Sequence, residues 1–227
     1  MRIRSLAVAG LTAVLLTACG GGGDSGNGEA AKKGPQVASD AANALEQSGA
    51  AHLTGTITEQ GQSGAVDLHL QGSDVSGSIA LGGQQVQLVS TGGKIYAQAP
   101  AAFWTTFGAP ASVAGQLDGQ WVIVPAQAAS SFGTFTLKGL ADQLRKPTGG
   151  SYQDPVGADT LNGQKVVVVT QTDGSTLDVA STGTPYPLKA ENKGTASPGT
   201  LNLGDFGKKT TITAPANALD LSQVAGG

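Results

Sequence analysis

Three kinds of side chain in this sequence could carry chemistry: one thiol, two imidazoles and sixteen carboxylates among 227 residues. The imidazoles are His52 and His69. Asp67 and His69 stand two apart in an alternating segment, so they share the polar face of a strand as solvated neighbours, without a third ligand for a metal. Acyl-transfer chemistry lacks its frame, because no Gly-x-Ser-x-Gly elbow occurs. Phosphate binding lacks its frame too: Gly93-Lys94 is followed by Ile95 and misses the earlier glycine of a P-loop. Gly21-x-Gly23-x-x-Gly26 matches a dinucleotide fingerprint in letters only, since neither a strand before it nor a helix opening on it is expected. Sixteen acids could supply a glycosidase pair, but nothing in their spacing singles one out. The expectation is therefore of no catalytic residue, no metal and no enzyme.

The thiol, Cys19, belongs to another kind of chemistry. Arg2 and Arg4 form a positive start, residues 5–16 are a short apolar run, and Leu16-Thr17-Ala18-Cys19 follows at once. These are signal-peptide dimensions, too short for a stable membrane span. The last four residues resemble the bacterial lipobox, which implies a diacylglyceryl group on Cys19, cleavage before it, and further acylation, for example by palmitate. Two or three acyl chains on one residue anchor stably where a single chain does not. As the only cysteine, Cys19 leaves no partner for a disulfide within the chain. Residues 1–18 are thus read as a lipoprotein signal peptide and 19–34 as the lipidated Cys19 with a flexible, Gly-rich tether of about 20–24 Å coil span. Residues 35–227 are read as a single domain on the extracytoplasmic face of the cell membrane. No cofactor is expected beyond the covalent acyl group at Cys19.

Composition agrees with a folded, exported body. Gly and Pro number 35 and 10, charged residues make 13% and hydrophobic ones 39%, which is not the profile of a disordered chain. A net charge of −3 with no basic stripe argues against nucleic acid as a partner. Without Arg2 and Arg4 the chain has 11 basic residues against 16 acidic, a charge of −5, so attraction to an anionic membrane must come from the anchor.

The elements that would position any site follow from periodicity. Residues 35–49 read as a first helix, with Ser39 or Asp40 as cap, Ala38, Ala41, Ala42 and Leu45 on one face, and Gly49 as stop. From Ala51 the period becomes two, and five strands form a meander punctuated by Gln60-Gly61-Gln62-Ser63-Gly64, Gly72-Ser73-Asp74, Gly82-Gly83 and Gly92-Gly93. The middle groups Phe103, Trp104 and Phe107. Trp121 to Pro125 is a short strand or irregular turn, and 136–146 a helix with Leu137, Leu140 and Leu144 on one face, ended by Pro147. Strands then return over 164–172, whose four valines suggest burial on both faces, and over 175–181, 188–193, 200–206 and 208–214, with Asp173-Gly174 a hairpin signal. The fold class is α+β, a long antiparallel sheet with segregated helices. Strands that run together argue against the alternating βα lobes of a solute-binding protein.

A one-sided sheet must cover its apolar face, and helices poor in large side chains can leave an apolar hollow there; a fully packed core would give the same alternation. Several motifs behind the lipobox resemble the actinobacterial LppX/LprAFG lipoprotein family. They are Ala42-x-x-Leu45 before Ala51-His52-Leu53-Thr54-Gly55, Gly92-Gly93-Lys94-Ile95-Tyr96, Trp104, Trp121-Val122, Leu161-Asn162-Gly163, Thr176-Leu177-Asp178-Val179 and Pro185-Tyr186-Pro187-Leu188. The resemblance implies a curved half-barrel sheet wrapped around helices, as in the carriers LolA and LolB. It also implies an acylated lipid or lipoglycan as ligand, carried in a cavity for cell-envelope transport, with a membrane transporter as partner and a monomeric state. Few aromatics and many small residues are the departure from that family.

Period-two arithmetic nominates walls for such a cavity: Val66, Leu68, Leu70, Ile79, Leu81, Val86, Leu88, Leu177 and Val179 from the sheet. Phe103, Trp104, Phe107, Leu140 and Leu144 would form the helical side. Each serves equally well as ordinary core. The alternative reading is an anchored structural or adhesion module with a solid core, presenting residues 103–107 to a protein.

Overall fold

The alternation after Gly49 folds as its period dictates. In the computed structural model, which describes residues 26–59, 61–106, 108–125, 135–195 and 198–221, with backbone alone at Glu59 and Leu81, five strands form an antiparallel meander. They are β1 (Ala50–Glu59), β2 (Gln62–Gln71), β3 (Asp74–Leu81), β4 (Gln84–Thr91) and β5 (Lys94–Gln98). Thr91 pairs with Lys94 across Gly92 and Gly93, whose φ values of 60° and 75° are those of a type I′ turn. Pairing between β1 and β2 runs right up to Glu59 and Gln62, so Gln62-Ser63-Gly64 belongs to β2 and not to the five-residue loop that the sequence suggests.

A second meander contains β7 (Gly157–Leu161), β8 (Gln164–Thr170), β9 (Thr176–Ala180), β10 (Pro187–Asn192) and β11 (Gly199–Gly204). The two meanders join where β11 pairs with β1, His52 facing Gly204 and Ile57 facing Gly199. With β6 (Trp121–Ile123) beyond β5, and β12 (Leu219–Asp220) parallel to β6, the result is one open 12-stranded sheet in the order β12-β6-β5-β4-β3-β2-β1-β11-β10-β9-β8-β7. The strand expected over 208–214 does not form. Both edges of β11 are already taken, by β1 and β10, so the next segment has no ladder to join there. It instead turns at Asp205, φ 51°, and runs over the surface, where the Thr210 amide donates to Gln71. The four valines are not equally enclosed: Val166, Val167 and Val169 are buried, while Val168 is half-buried.

Register places the inner residues in rows. One runs Val169, Leu177, Ala190, Leu201, Gly55, Val66, Ile79, Val86 from β8 across to β4. The next runs Leu203, Leu53, Leu68, Gly77, Leu88, Ala97, Val122, Leu219. Gly55 and Gly77 interrupt them with φ of 153° and 145°, and a Cβ on either would collide with the backbone oxygen of Thr200 or Asp67 respectively. Only glycine fits there.

Four α-helices among the described residues lie with these rows in three apolar clusters. Helix α1 (Gly34–Ser48) begins earlier than Ser39 or Asp40 would have it, with Lys33 as cap: the Lys33 amide donates to Gln36 Oε1 at 3.3 Å, and the Gly34 amide donates to Asp154 at 2.8 Å. Gly49, at φ 68°, ends it as expected. Its Val37, Ala38 and Ala41 pack on Val167, Val169, Leu177 and Val179, and its Leu45 on Leu53, Leu68 and Leu70. Helices α2 (Ala101–Thr106) and α3 (Ala111–Leu117) cover Val86, Ala97 and Val122 at the other end. Helix α4 (Leu137–Arg145) packs beside α1, capped by Thr136 Oγ1, which accepts from the Gly139 amide at 3.0 Å.

The tether is shorter than the sequence suggests. The Asn27 amide donates to Ser181 at 2.7 Å, its side chain donates to Ala180 at 2.8 Å, and Glu29 is 2% exposed in a short 3-10 helix, Glu29–Ala31. Lys32 links Glu29 to Asp40, and its hydrogen bonds to Asp40 and then Glu29 raise its pKa. Residues 26–34 are therefore part of the folded body. The lipobox and Cys19 lie outside the described residues.

Candidate functional site

The apolar rows are not filled evenly. Where α1 and α4 meet the sheet at β1, β9, β10 and β11, a hollow of ≈ 60 Å³ remains. Leu45 comes from α1, Leu140, Gln143 and Leu144 from α4, and Leu53, Leu177, Ala190, Leu201 and Leu203 from the strands. Ala190 on β10 leaves this space because its side chain ends at Cβ where a leucine would reach across. Gln143 is the one polar side chain in the lining.

Of the nominated wall residues, the structure brings Leu140, Leu144 and Leu177 to the hollow. Val66, Leu68, Leu70, Ile79 and Leu88 are instead close-packed core, each at most 5% exposed. Val179 packs under α1, and Val86 packs under α2 and α3 in one cluster with Trp104, which projects from α2, and with Phe103 of α2 partly buried beside it. Phe107 and the side chain of Leu81 lie outside the described residues. Leu45, Leu53, Leu201, Leu203, Ala190 and Gln143 went unnominated. Leu201 and Leu203 carry a signal, the alternation of Thr200-Leu201-Asn202-Leu203, and Leu45 ends the apolar face of α1; Gln143 carries none.

Polar ties close the outer side of the seam. Arg145 at the end of α4 pairs with Glu46 and hydrogen-bonds Asn43 on α1, and also pairs with Asp142. Glu46 first, and Asp142 more weakly, hold the guanidinium's pKa above its usual value. Tyr152 donates its hydroxyl to the Leu144 carbonyl at 2.7 Å, and burial pushes its pKa up to about 12. Helices α2 and α3 are tied differently: Trp104 Nε1–H donates to the Ala99 carbonyl, and the Ala101 amide donates to Asp118 at 2.8 Å.

On the opposite face of the sheet His52 joins Asp67 and His69, the third ligand that spacing alone did not show. No helix of the described residues is long and apolar enough to cross a membrane.

The sequence matches no described protein family, and no curated protein is similar to it in sequence. The fold is that of two solved lipoprotein structures. LprF from Mycobacterium bovis aligns over 81% of this chain and 97% of its own, with 15% identity and a TM-score of 0.56. The lipoprotein LppX from Mycobacterium tuberculosis aligns over 79% and 98%, with 12% identity and a TM-score of 0.53. Both are of the family that the sequence motifs resemble, and the expected fold, a long antiparallel sheet holding helices on one face, is the one observed; the sheet is open.

Proposed function

We propose that this protein is a monomeric, envelope-anchored lipoprotein that takes the acyl chains of a lipid or lipoglycan into the seam between α1, α4 and the sheet, and carries them across the envelope. The observation that carries the reading is the apolar hollow at that seam, on a fold shared with LppX and LprF. Each CH₂ taken from water there contributes about 0.8 kcal/mol, so affinity needs no charged contact. The hollow is well under the ~150 Å³ that admits benzene in an engineered cavity, so a full chain enters only as α4 moves off β10 and β11. From Cys19 to the docked Gly26 the chain reaches at most about 25 Å, which keeps the seam close to the anchoring bilayer. The protein binds and presents lipid rather than transforming it, and a membrane transporter is the partner such a carrier serves.

Organic extraction of the Cys19→Ser chain followed by mass spectrometry, with uptake of labelled phospholipid and triacylglycerol, tests the proposal. Co-purified lipid, and uptake lost in Ala190→Phe, is the expected result. Absence of both sinks it. The small volume of the hollow favours one other reading, an anchored module with a solid core that offers α2 to a protein partner. A folded chain that takes up no lipid, yet loses a protein partner on Phe103→Ala, decides for that reading.

A further inference from the structure

The polar face of the sheet carries a cluster that lipid binding does not use. His52 on β1 and His69 on β2 are direct cross-strand partners, and Asp67 stands two residues before His69 on the same face. The rings stack with centroids 4.3 Å apart, and His52 Nε2 lies 2.7 Å from Asp67 Oδ1. One donor atom from each of the three residues lies within 4.8 Å of the other two. Opposite His52 on its other side is Gly204, which has no side chain, so the Asp205 carboxylate swings in to 3.8 Å from His52 Nδ1. Lys208 pairs with Asp205 at 2.7 Å and lowers its pKa.

His52 is thus flanked by a carboxylate at each ring nitrogen. A neutral imidazole has one N–H: donated from Nε2 to Asp67 at 2.7 Å, it leaves Nδ1 without a proton towards Asp205, which at 3.8 Å is beyond hydrogen-bond reach. A divalent cation bound between His52 Nε2, His69 and Asp67 would instead leave the His52 N–H on Nδ1, facing Asp205, which would have to close about 1 Å to accept it. That is the carboxylate–histidine–metal arrangement in which an outer carboxylate fixes tautomer and ring orientation. Two nitrogens and one oxygen suit zinc, copper or nickel rather than magnesium or calcium. Ligand atoms on one tetrahedral zinc are about 3.3 Å apart, so the donors need side-chain rotations and no backbone change. β1 and β2 are paired on both edges, which gives the ligands a rigid platform.

We propose that His52, His69 and Asp67 bind a first-row transition dication of the zinc class, with Asp205 as the orienting carboxylate and a solvent-facing position left open for water or a partner's donor. The site lies on the face opposite the lipid seam and does not depend on it.

The test is calorimetric titration of Zn²⁺ into the full Cys19→Ser chain in detergent, which removes the only thiol. One Zn²⁺ per chain is expected. Asp205→Asn should weaken binding about 10-fold or more, and His52→Gln and His69→Gln should each weaken it by at least as much with unchanged circular dichroism. Copper(II) loaded on the same chain should show two coupled nitrogens by electron paramagnetic resonance and one in either glutamine variant. Indifference to Zn²⁺, or binding that survives both glutamine variants, overturns the proposal.

Discussion

The two helix pairs cover one continuous apolar face in different ways. Between α2, α3 and the sheet a single large side chain from α2 does the filling: Trp104 is 7% exposed, meets Phe103 edge-on at 5.3 Å, and has its N–H bonded to Ala99. Under α1 and α4 the cover is made of Val37, five buried alanines and leucine tips, and a hollow remains. The helices at the hollow are the longer ones, fifteen and nine residues against six and seven, and they are tied to each other by Arg145. Scarcity of aromatic residues is therefore local in its effect. It leaves room where two helices lie against leucines, and none is needed where tryptophan sits.

The sharpest way to break this contrast is to remove the filler. Trp104→Ala should cost about 4 kcal/mol in urea unfolding, by loss of a large buried ring, and leave acyl uptake intact in the folded fraction. Equal loss of stability and uptake would merge the two regions. Enlarging an alanine in each region should have opposite signs. Ala114→Leu, at a site 1% exposed on the buried side of α3, should cost about 2 kcal/mol by overpacking. Ala190→Leu, which points into the hollow, should gain about 1 kcal/mol while reducing uptake. Destabilisation by both would show that the hollow is already full.

The ties of the seam give smaller effects. Tyr152→Phe removes the hydrogen bond to Leu144 and should cost about 1 kcal/mol at neutral pH. Because burial raises the folded pKa of Tyr152 to about 12, its protonated form is the one folding favours. That stability is present below about pH 10 and is lost as pH rises through about 12. The phenylalanine variant should show a shallower alkaline decline in melting temperature than the parent. Arg145→Ala, which breaks a half-exposed ion pair, should cost about 0.5 kcal/mol and less in high salt, yet speed acyl uptake if α4 is the moving part.

Local signals made much of this fold legible, and long-range pairing hid the rest. Gly-Gly pairs and strict alternation gave the first meander, because a two-residue turn and a one-sided strand are set by neighbours in sequence. Strand β7 was missed although Asn162-Gly163 marks its hairpin with φ of 50° and 83°. Its Gly-Ala-Asp-Thr-Leu is almost wholly exposed, so it carries no alternation. The hollow depends on β11 lying beside β1, which no local pattern encodes, and so Leu201 and Leu203 went unnominated. The histidine pair turns on a single loop length. A two-residue loop pairs residues whose numbers sum to 121, which sets 52 against 69; a loop spread over 60–64 conceals it.

That same β1–β11 junction bears on how the chain comes to its shape. His52 meets Gly204 across 151 residues of intervening chain, whereas every pairing within the first meander joins near neighbours. Closing so long a loop is slow compared with forming hairpins. As the chain folds from its N-terminal side, β1 must wait, its outer backbone groups unpaired, until the C-terminal strands arrive. During that interval β1 is an open edge available to any other strand. A protein built this way is most vulnerable to mispairing before its C-terminal strands have docked, and a chain cut short before β11 keeps that edge permanently.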